Sequence, residues 1–174
     1  TYSAASTEDV VKVVSRAGSP SANNCLQFTD GPSFANAYDP HAYALLNHDT
    51  GVSTVKFALW IDSGTQFLHE WRDSSTPYRV GPSLLITASG VYANGQLVTT
   101  VGKNKWYQFE VSAPVGTAAA RWSVSVVGPD GVVRQRTNIA NQSSAWNSLT
   151  WAGFMSNTRQ SSKTCLGSLQ FSSK

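Results

Sequence analysis

The chain has 174 residues, 41% of them hydrophobic and only 13% charged, with 13 Lys and Arg against 10 Asp and Glu for a net charge of +3. That length fits one domain spanning residues 1–174, and the apolar fraction suffices for a core. The small, dispersed cationic excess argues against the dense basic stripe of a nucleic-acid binder, and no apolar run approaches the roughly 20 residues of a membrane-spanning helix.

Taken in order, the predicted elements are extended. Thr1–Glu8 is polar and expected to fray, and Asp9–Ser15 (DVVKVVS) reads as a short strand. Gly18, Pro20 and two asparagines make Arg16–Asn24 a turn cluster. Cys25–Asp30 alternates, with Leu26 and Phe28 on one face and Cys25, Gln27 and Thr29 on the other. Gly31–Thr50, with Pro32, Pro40, His41 and His48, reads as a long irregular segment of the kind that is functional or disordered; Phe34, Tyr38 and Tyr43 argue against disorder. In Val52–Asp62, Val55, Phe57, Leu59 and Ile61 face one way and Lys56, Ala58, Trp60 and Asp62 the other. Gln66–Arg72 sets Phe67, His69 and Trp71 against Leu68, Glu70 and Arg72, and Tyr78–Thr87 follows after a turn. Asn94-Gly95 is a hairpin signal between Val91–Ala93 and Gln96–Val101. Trp106–Ser112, Ala120–Val127 and Val132–Thr137 come next, the last two joined by the GPDG turn. Ala140–Ser148 is polar apart from Trp146, and Leu149–Ser156 and Thr164–Phe171 end the chain.

No segment sustains a helical period. Short strands separated by Gly, Pro, Asn and Ser predict an all-β antiparallel two-sheet sandwich. One sheet of such a sandwich often bends, and its concave outer face is the usual groove.

Gln66–Leu85 (QFLHEWRDSSTPYRVGPSLL) concentrates the chemistry. Aromatic rings cover the apolar C–H faces of sugars, while Arg and carboxylate groups meet their hydroxyls in paired hydrogen bonds. Trp60, His69, Glu70, Trp71, Arg72, Tyr78 and Arg79 are therefore candidate ligand contacts, with Trp146 of the polar SSAWNS loop as an exposed stacking ring. Trp106, Trp122 and Trp151 lie in strands and read as core. The bland alternative is that Glu70, Arg72, Asp73 and Arg79 form cross-strand ion pairs that only fix register, each contributing under about 1 kcal/mol. His41 and His48 with Asp39 and Asp49 make a poor zinc set. Asn141-Gln-Ser is a glycosylation sequon, meaningful in a eukaryotic source.

The succession of strands, with WYQFEV, the GPDG hairpin, LTWAGFMS and a last strand near the C-terminus, resembles the concanavalin A-like lectin/glucanase jelly roll, and within it the laminin-G-like and carbohydrate-binding members of bacterial polysaccharide-processing proteins. The resemblance implies neighbouring first and last strands, glycan binding on a concave sheet, and often a structural calcium. The Asp that helps hold calcium on the final strand of many relatives has no counterpart in CLGSLQF, so the metal is left unknown. Cys25 and Cys165 sit in the strands expected to be neighbours, and a disulfide between them fits that topology. The two cysteines differ in strand parity, which a bulge near Gly167 would reconcile.

The expected function is a secreted, non-catalytic carbohydrate-binding module, a monomer or part of a larger protein, with an acidic polysaccharide as partner. The alternative is a polysaccharide lyase acting on a uronate by β-elimination, for which His69, Arg72, Tyr78 and Arg79 supply the residue types. The Arg-Glu-Arg, Gln-Ile-His and Tyr-Lys-Ala-Gly signatures of the alginate-lyase group are missing. A third reading is a structural or adhesive jelly roll without glycan specificity.

Overall fold

The computed structural model describes residues 2–3, 11–32, 34, 36–158 and 160–174. In chain order the strands are β1 (Tyr2–Ser3), β2 (Val11–Ser15), β3 (Asn24–Asp30), β4 (His41–His48), β5 (Gly51–Ile61), β6 (Gln66–Arg72), β7 (Val80–Thr87), β8 (Gly90–Ala93), β9 (Gln96–Thr100), β10 (Lys105–Val115), β11 (Arg121–Val127), β12 (Val133–Ala140), β13 (Leu149–Ser156) and β14 (Ser162–Ser173). They form two seven-stranded antiparallel sheets. Sheet A runs β1-β4-β13-β6-β7-β8-β9 and sheet B runs β12-β11-β10-β5-β14-β3-β2. No helix is present among the described residues.

The alternation anticipated from sequence produces this packing. Phe57, Leu59, Phe109 and Val124 of sheet B face Phe67, Trp71, Leu84 and Phe154 of sheet A, all essentially inaccessible. Each such side chain stabilises the fold by roughly 1.5–3 kcal/mol relative to exposure. Phe28 meets Phe67 edge-on at 5.1 Å between the sheets, and Phe57 stacks on Phe109 at 4.8 Å. The Asn94-Gly95 turn has both central residues at positive φ, 46° and 77°, as a two-residue hairpin loop requires.

The segment expected to be irregular contains a strand. β4 pairs with β13 through Tyr43↔Gly153 and Met155↔His41, filling the position between β13 and the edge. Ala42 and Leu46 turn inward against the core. The outward positions are held by His41 and Tyr43, so the apolar-polar contrast that betrays a half-buried strand is faint here.

β3, which carries CLQFTD, lies beside the last strand β14, as the resemblance implied. The first strand, β1, belongs instead to the edge of sheet A. Cys25 and Cys165 form a disulfide with Cα atoms 5.7 Å apart. The parity conflict is resolved within β14. Gly167 pairs with Ala58 and Gln170 with Lys56, so Ser168 and Leu169 together oppose the single residue Phe57. This bulge lets Cys165 face outward on one side of it while Phe171 packs against the core on the other.

Candidate functional site

β6 divides its chemistry between two faces. Phe67, His69 and Trp71 point into the core and Leu68, Glu70 and Arg72 outward. His69 and Trp71, expected as ligand contacts, are thus sealed between the sheets. The His69 Nδ1 lies 2.9 Å from the Gly153 carbonyl oxygen, and its Nε2 lies 2.8 Å from the Trp71 indole nitrogen, Nε1. The ring stacks on Phe154 at 4.5 Å. Burial lowers its pKa to about 4, against a smaller raising effect of the Gly153 hydrogen bond, so the imidazole is neutral at physiological pH.

Two further expectations are corrected by placement. Trp146 is fully buried rather than exposed, because its indole wedges into the space above Gly81, where a Cβ would lie 2.4 Å from the ring. Trp60 belongs to β5 in sheet B, across the molecule from Glu70 and Arg72, where it packs against Trp106 at 5.9 Å beneath the Arg16 guanidinium. Trp122 is core as expected, but Trp106 and Trp151 are half-buried on outer faces.

The outer face of sheet A gathers the remaining candidates with three residues the sequence did not single out as a site. Arg72 lies between two rings, its Cζ 4.2 Å from the Tyr78 centroid and 4.1 Å from that of Trp151. Tyr43 stacks on Trp151 at 5.8 Å, and His41 stacks on Tyr43 at 6.0 Å. β4 and β6 flank β13 on opposite sides, so Tyr43 and Arg72 approach Trp151 from opposite directions. The result is a row, His41–Tyr43–Trp151–Arg72–Tyr78, running across three strands and a loop.

Each member has a local reason to be where it is. Gly153 leaves room for Trp151, since a Cβ there would lie 1.8 Å from the ring. Glu70, itself buried, holds Arg72 through Nε and Nη2, both 2.6 Å from one carboxylate oxygen. Asp39 holds His41 at 3.0 Å through Nδ1. The Asp73 carboxylate ties down the loop that presents Tyr78, accepting from the backbone N–H of Arg79 and of Ser75 and contacting the Arg79 guanidinium at 2.8 Å. Burial would raise its pKa, but those hydrogen bonds and the Arg79 charge outweigh burial and hold it below the ordinary carboxylate value. Arg79 also donates to Ser75 and to the Ala145 carbonyl, 2.9 Å away, which makes it a brace between two loops.

Beside the row lies a hollow of about 620 Å³, within the range of small-ligand sites. Its floor is the cross-strand series Leu68–Leu85–Tyr92, and its rim carries Gln66, Gln142 and Asn157. Sheet B has a smaller hollow of about 280 Å³ over Ala58 and Gln108, walled by the Lys56–Glu110 ion pair.

Comparison with solved structures places this architecture. The chain is similar to the marine PL-14 alginate lyase from Aplysia kurodai, with a TM-score of 0.65 at 9% identity over 95% of this chain and 88% of that one. The basic winged bean lectin matches with a TM-score of 0.57 at 12% identity over 95% and 92% of the two chains. The GH131 β-glucanase catalytic domain from Podospora anserina matches at 0.56 and 13% identity over 99% and 85%.

The fold is the concanavalin A-like jelly roll.

No protein-family model matches the sequence, and a search of curated proteins found no match. Within this jelly roll, no three His, Cys, Asp or Glu among the described residues gather closely enough to hold a metal ion. His41 is engaged with Asp39, and His48 with the Ser53 hydroxyl at 3.0 Å. The missed residue Trp151 did leave a signal. In LTWAGF a Trp stands two residues before a Gly in one strand, so both face the same way, and a strand glycine marks a close approach.

Proposed function

We propose that this protein is a secreted, non-catalytic carbohydrate-binding module whose ligand lies on the outer face of sheet A, across Tyr43, Trp151, Arg72 and Tyr78. The observation that carries the reading is the Trp151–Arg72–Tyr78 sandwich, locked from below by Glu70 and Gly153. Rings and a guanidinium already held in place lose little side-chain entropy on binding, so most of their contact energy is kept. They offer the pairing of apolar surface and forked donors that a pyranose needs. The solved structures that share the fold include lectins and polysaccharide-degrading enzymes, which is consistent with this use of it. The disulfide fits an oxidising compartment.

The lyase reading has less support from the same residues. His69 is enclosed and used on both nitrogens. Arg72 and Tyr78 do stand together, the guanidinium 4.2 Å from the ring, but Arg72 is paired with Glu70 and Arg79 with Asp73, so neither cation is free for a uronate carboxylate. The expected preference for an acidic polysaccharide drew on the net positive charge and on the cations near this stretch; Arg72 and Arg79 are each matched by a carboxylate, Glu70 or Asp73, so this face holds no uncompensated cation from that pair.

Affinity electrophoresis against soluble polysaccharides tests the proposal. The protein should be retarded by at least one of them without generating the ultraviolet absorbance of unsaturated products, and Trp151→Ala should weaken that binding at least tenfold while the circular dichroism is unchanged. Growth of the absorbance would make it a lyase. Retardation by none of them would leave the structural or adhesive reading.

A further inference from the structure

We infer that the hollow over β6, β7 and β8 is a subsite for an uncharged pyranose, so the polysaccharide recognised contains neutral residues at the position next to the aromatic row. This rests on the carbohydrate-binding reading of the same face and adds the chemistry of the sugar.

The lining of the hollow decides it. None of its residues carries a charge. Its floor of Leu68, Leu85 and Tyr92 offers apolar surface to the C–H face of a ring. Its rim offers the side-chain amides of Gln66, Gln142 and Asn157, and no side-chain hydrogen bond among the described residues engages those three amides. A primary amide both donates and accepts, as does a sugar hydroxyl, so the two match whichever way the hydroxyl is turned. A carboxylate or sulfate placed here would lose water without gaining a cation, and an unpaired charge against an apolar floor is costly. Of the guanidiniums near it, Arg72 is held by Glu70, and Arg136 donates to the Leu97 carbonyl and the Gln96 side-chain oxygen beyond the Asn94-Gly95 turn.

A peptide is a poorer occupant. β7 is paired on both edges, with β6 and β8, and β8 with β7 and β9, so the hollow offers no free strand edge for an extended peptide to join.

The hollow and the row lie side by side on one sheet. From β4 to β8 there are four strand spacings, about 19 Å at roughly 4.8 Å each. A ligand touching both is an oligosaccharide of several residues laid across the strands.

The probe is an immobilised set of neutral hexasaccharides (gluco-, manno- and xylo-linked) and oligouronates of the same length, followed by titration calorimetry of the best binder. The wild-type protein should bind a neutral hexasaccharide, and the double variant Gln142→Ala/Asn157→Ala should bind it at least tenfold more weakly, with the thermal midpoint unchanged. Binding confined to oligouronates, or neutral binding indifferent to that double variant while Trp151→Ala abolishes it, would overturn the neutral subsite and leave the carbohydrate-binding reading standing. Wild-type protein that binds no member of the set would overturn both.

Discussion

The Trp71 indole can only donate and the Gly153 carbonyl can only accept, so together they fix His69 as the Nδ1–H tautomer. A second ring proton, on Nε2, has no place to go without breaking the bond from Trp71 in a dry environment. His69 therefore titrates near 4 in the native state against 6.5 when unfolded. Between those values the unfolded chain binds a proton that the folded chain refuses, so this contribution to stability is full above pH 6.5 and is lost as pH falls toward 4, by at most about 3 kcal/mol. Asp30, raised by burial, works in the opposite sense at the acid end. The site-specific check is NMR: the His69 ring should keep its neutral tautomer down to pH 5, and a midpoint near 6.5 would contradict the enclosure. The lesson of this residue concerns legibility. Parity along QFLHEWR separates His69 and Trp71 from Glu70 and Arg72, but nothing in those seven residues says which set is inside. That is decided by Phe57, Phe109 and Phe154, far away in the chain. Asn141 makes a similar point: its sequon is plain in sequence, yet its amide donates to the Ala120 carbonyl at 3.1 Å and the residue is only 8% exposed.

At the scale of elements, most strands were read from their apolar pattern, and β4 was not. Gln66–Arg72 and Leu149–Ser156 both have the expected bounds, the first through its alternation and the second because polar loops flank a mostly buried run. β4 escaped because both its faces carry apolar or aromatic side chains, Ala42 and Leu46 inward and His41, Tyr43 and Leu45 outward, and with it went His41 and Tyr43, half of the aromatic row. The bulge in β14 was legible for a different reason: two cysteines that must meet imposed a constraint that simple alternation could not satisfy. Their bridge closes a separation of 140 residues, which on the chain-entropy model stabilises the fold by about 5 kcal/mol. Cys25→Ser/Cys165→Ser should therefore unfold at a markedly lower urea concentration than the native protein, with a loss of 2–5 kcal/mol; an unchanged midpoint would mean that the unfolded chain is not appreciably restrained by the bridge.

For the molecule as a whole, the charge of +3 is spread thinly and much of it is cancelled locally. Lys56 pairs with Glu110, Arg72 with Glu70, Arg79 with Asp73 and Arg134 with Asp130. A ligand held by rings and amides on such a surface should feel little of the ionic atmosphere. Its affinity is expected to stay within about twofold between 50 and 500 mM salt, where a site run by free cations would weaken severalfold as the screening length shrinks. Which of the two sheets would carry the ligand was not legible in the sequence, since Trp60 and Arg72 belong to opposite sheets through pairings of β5 with β10 and β14 and of β6 with β7 and β13, most of them long-range.

Trp146 links the interior to that surface. Its indole is set above Gly81, and the segment that bears it is stitched to β7 by the backbone of Gln142 and Ser143. Gln142 therefore stands where a distant indole puts it. Position and chemistry of the wall are set by two different residues: changing 146 would shift the wall, whereas changing 142 rewrites its polarity in place. The polarity of the hollow can therefore be edited at the second while the first is left untouched.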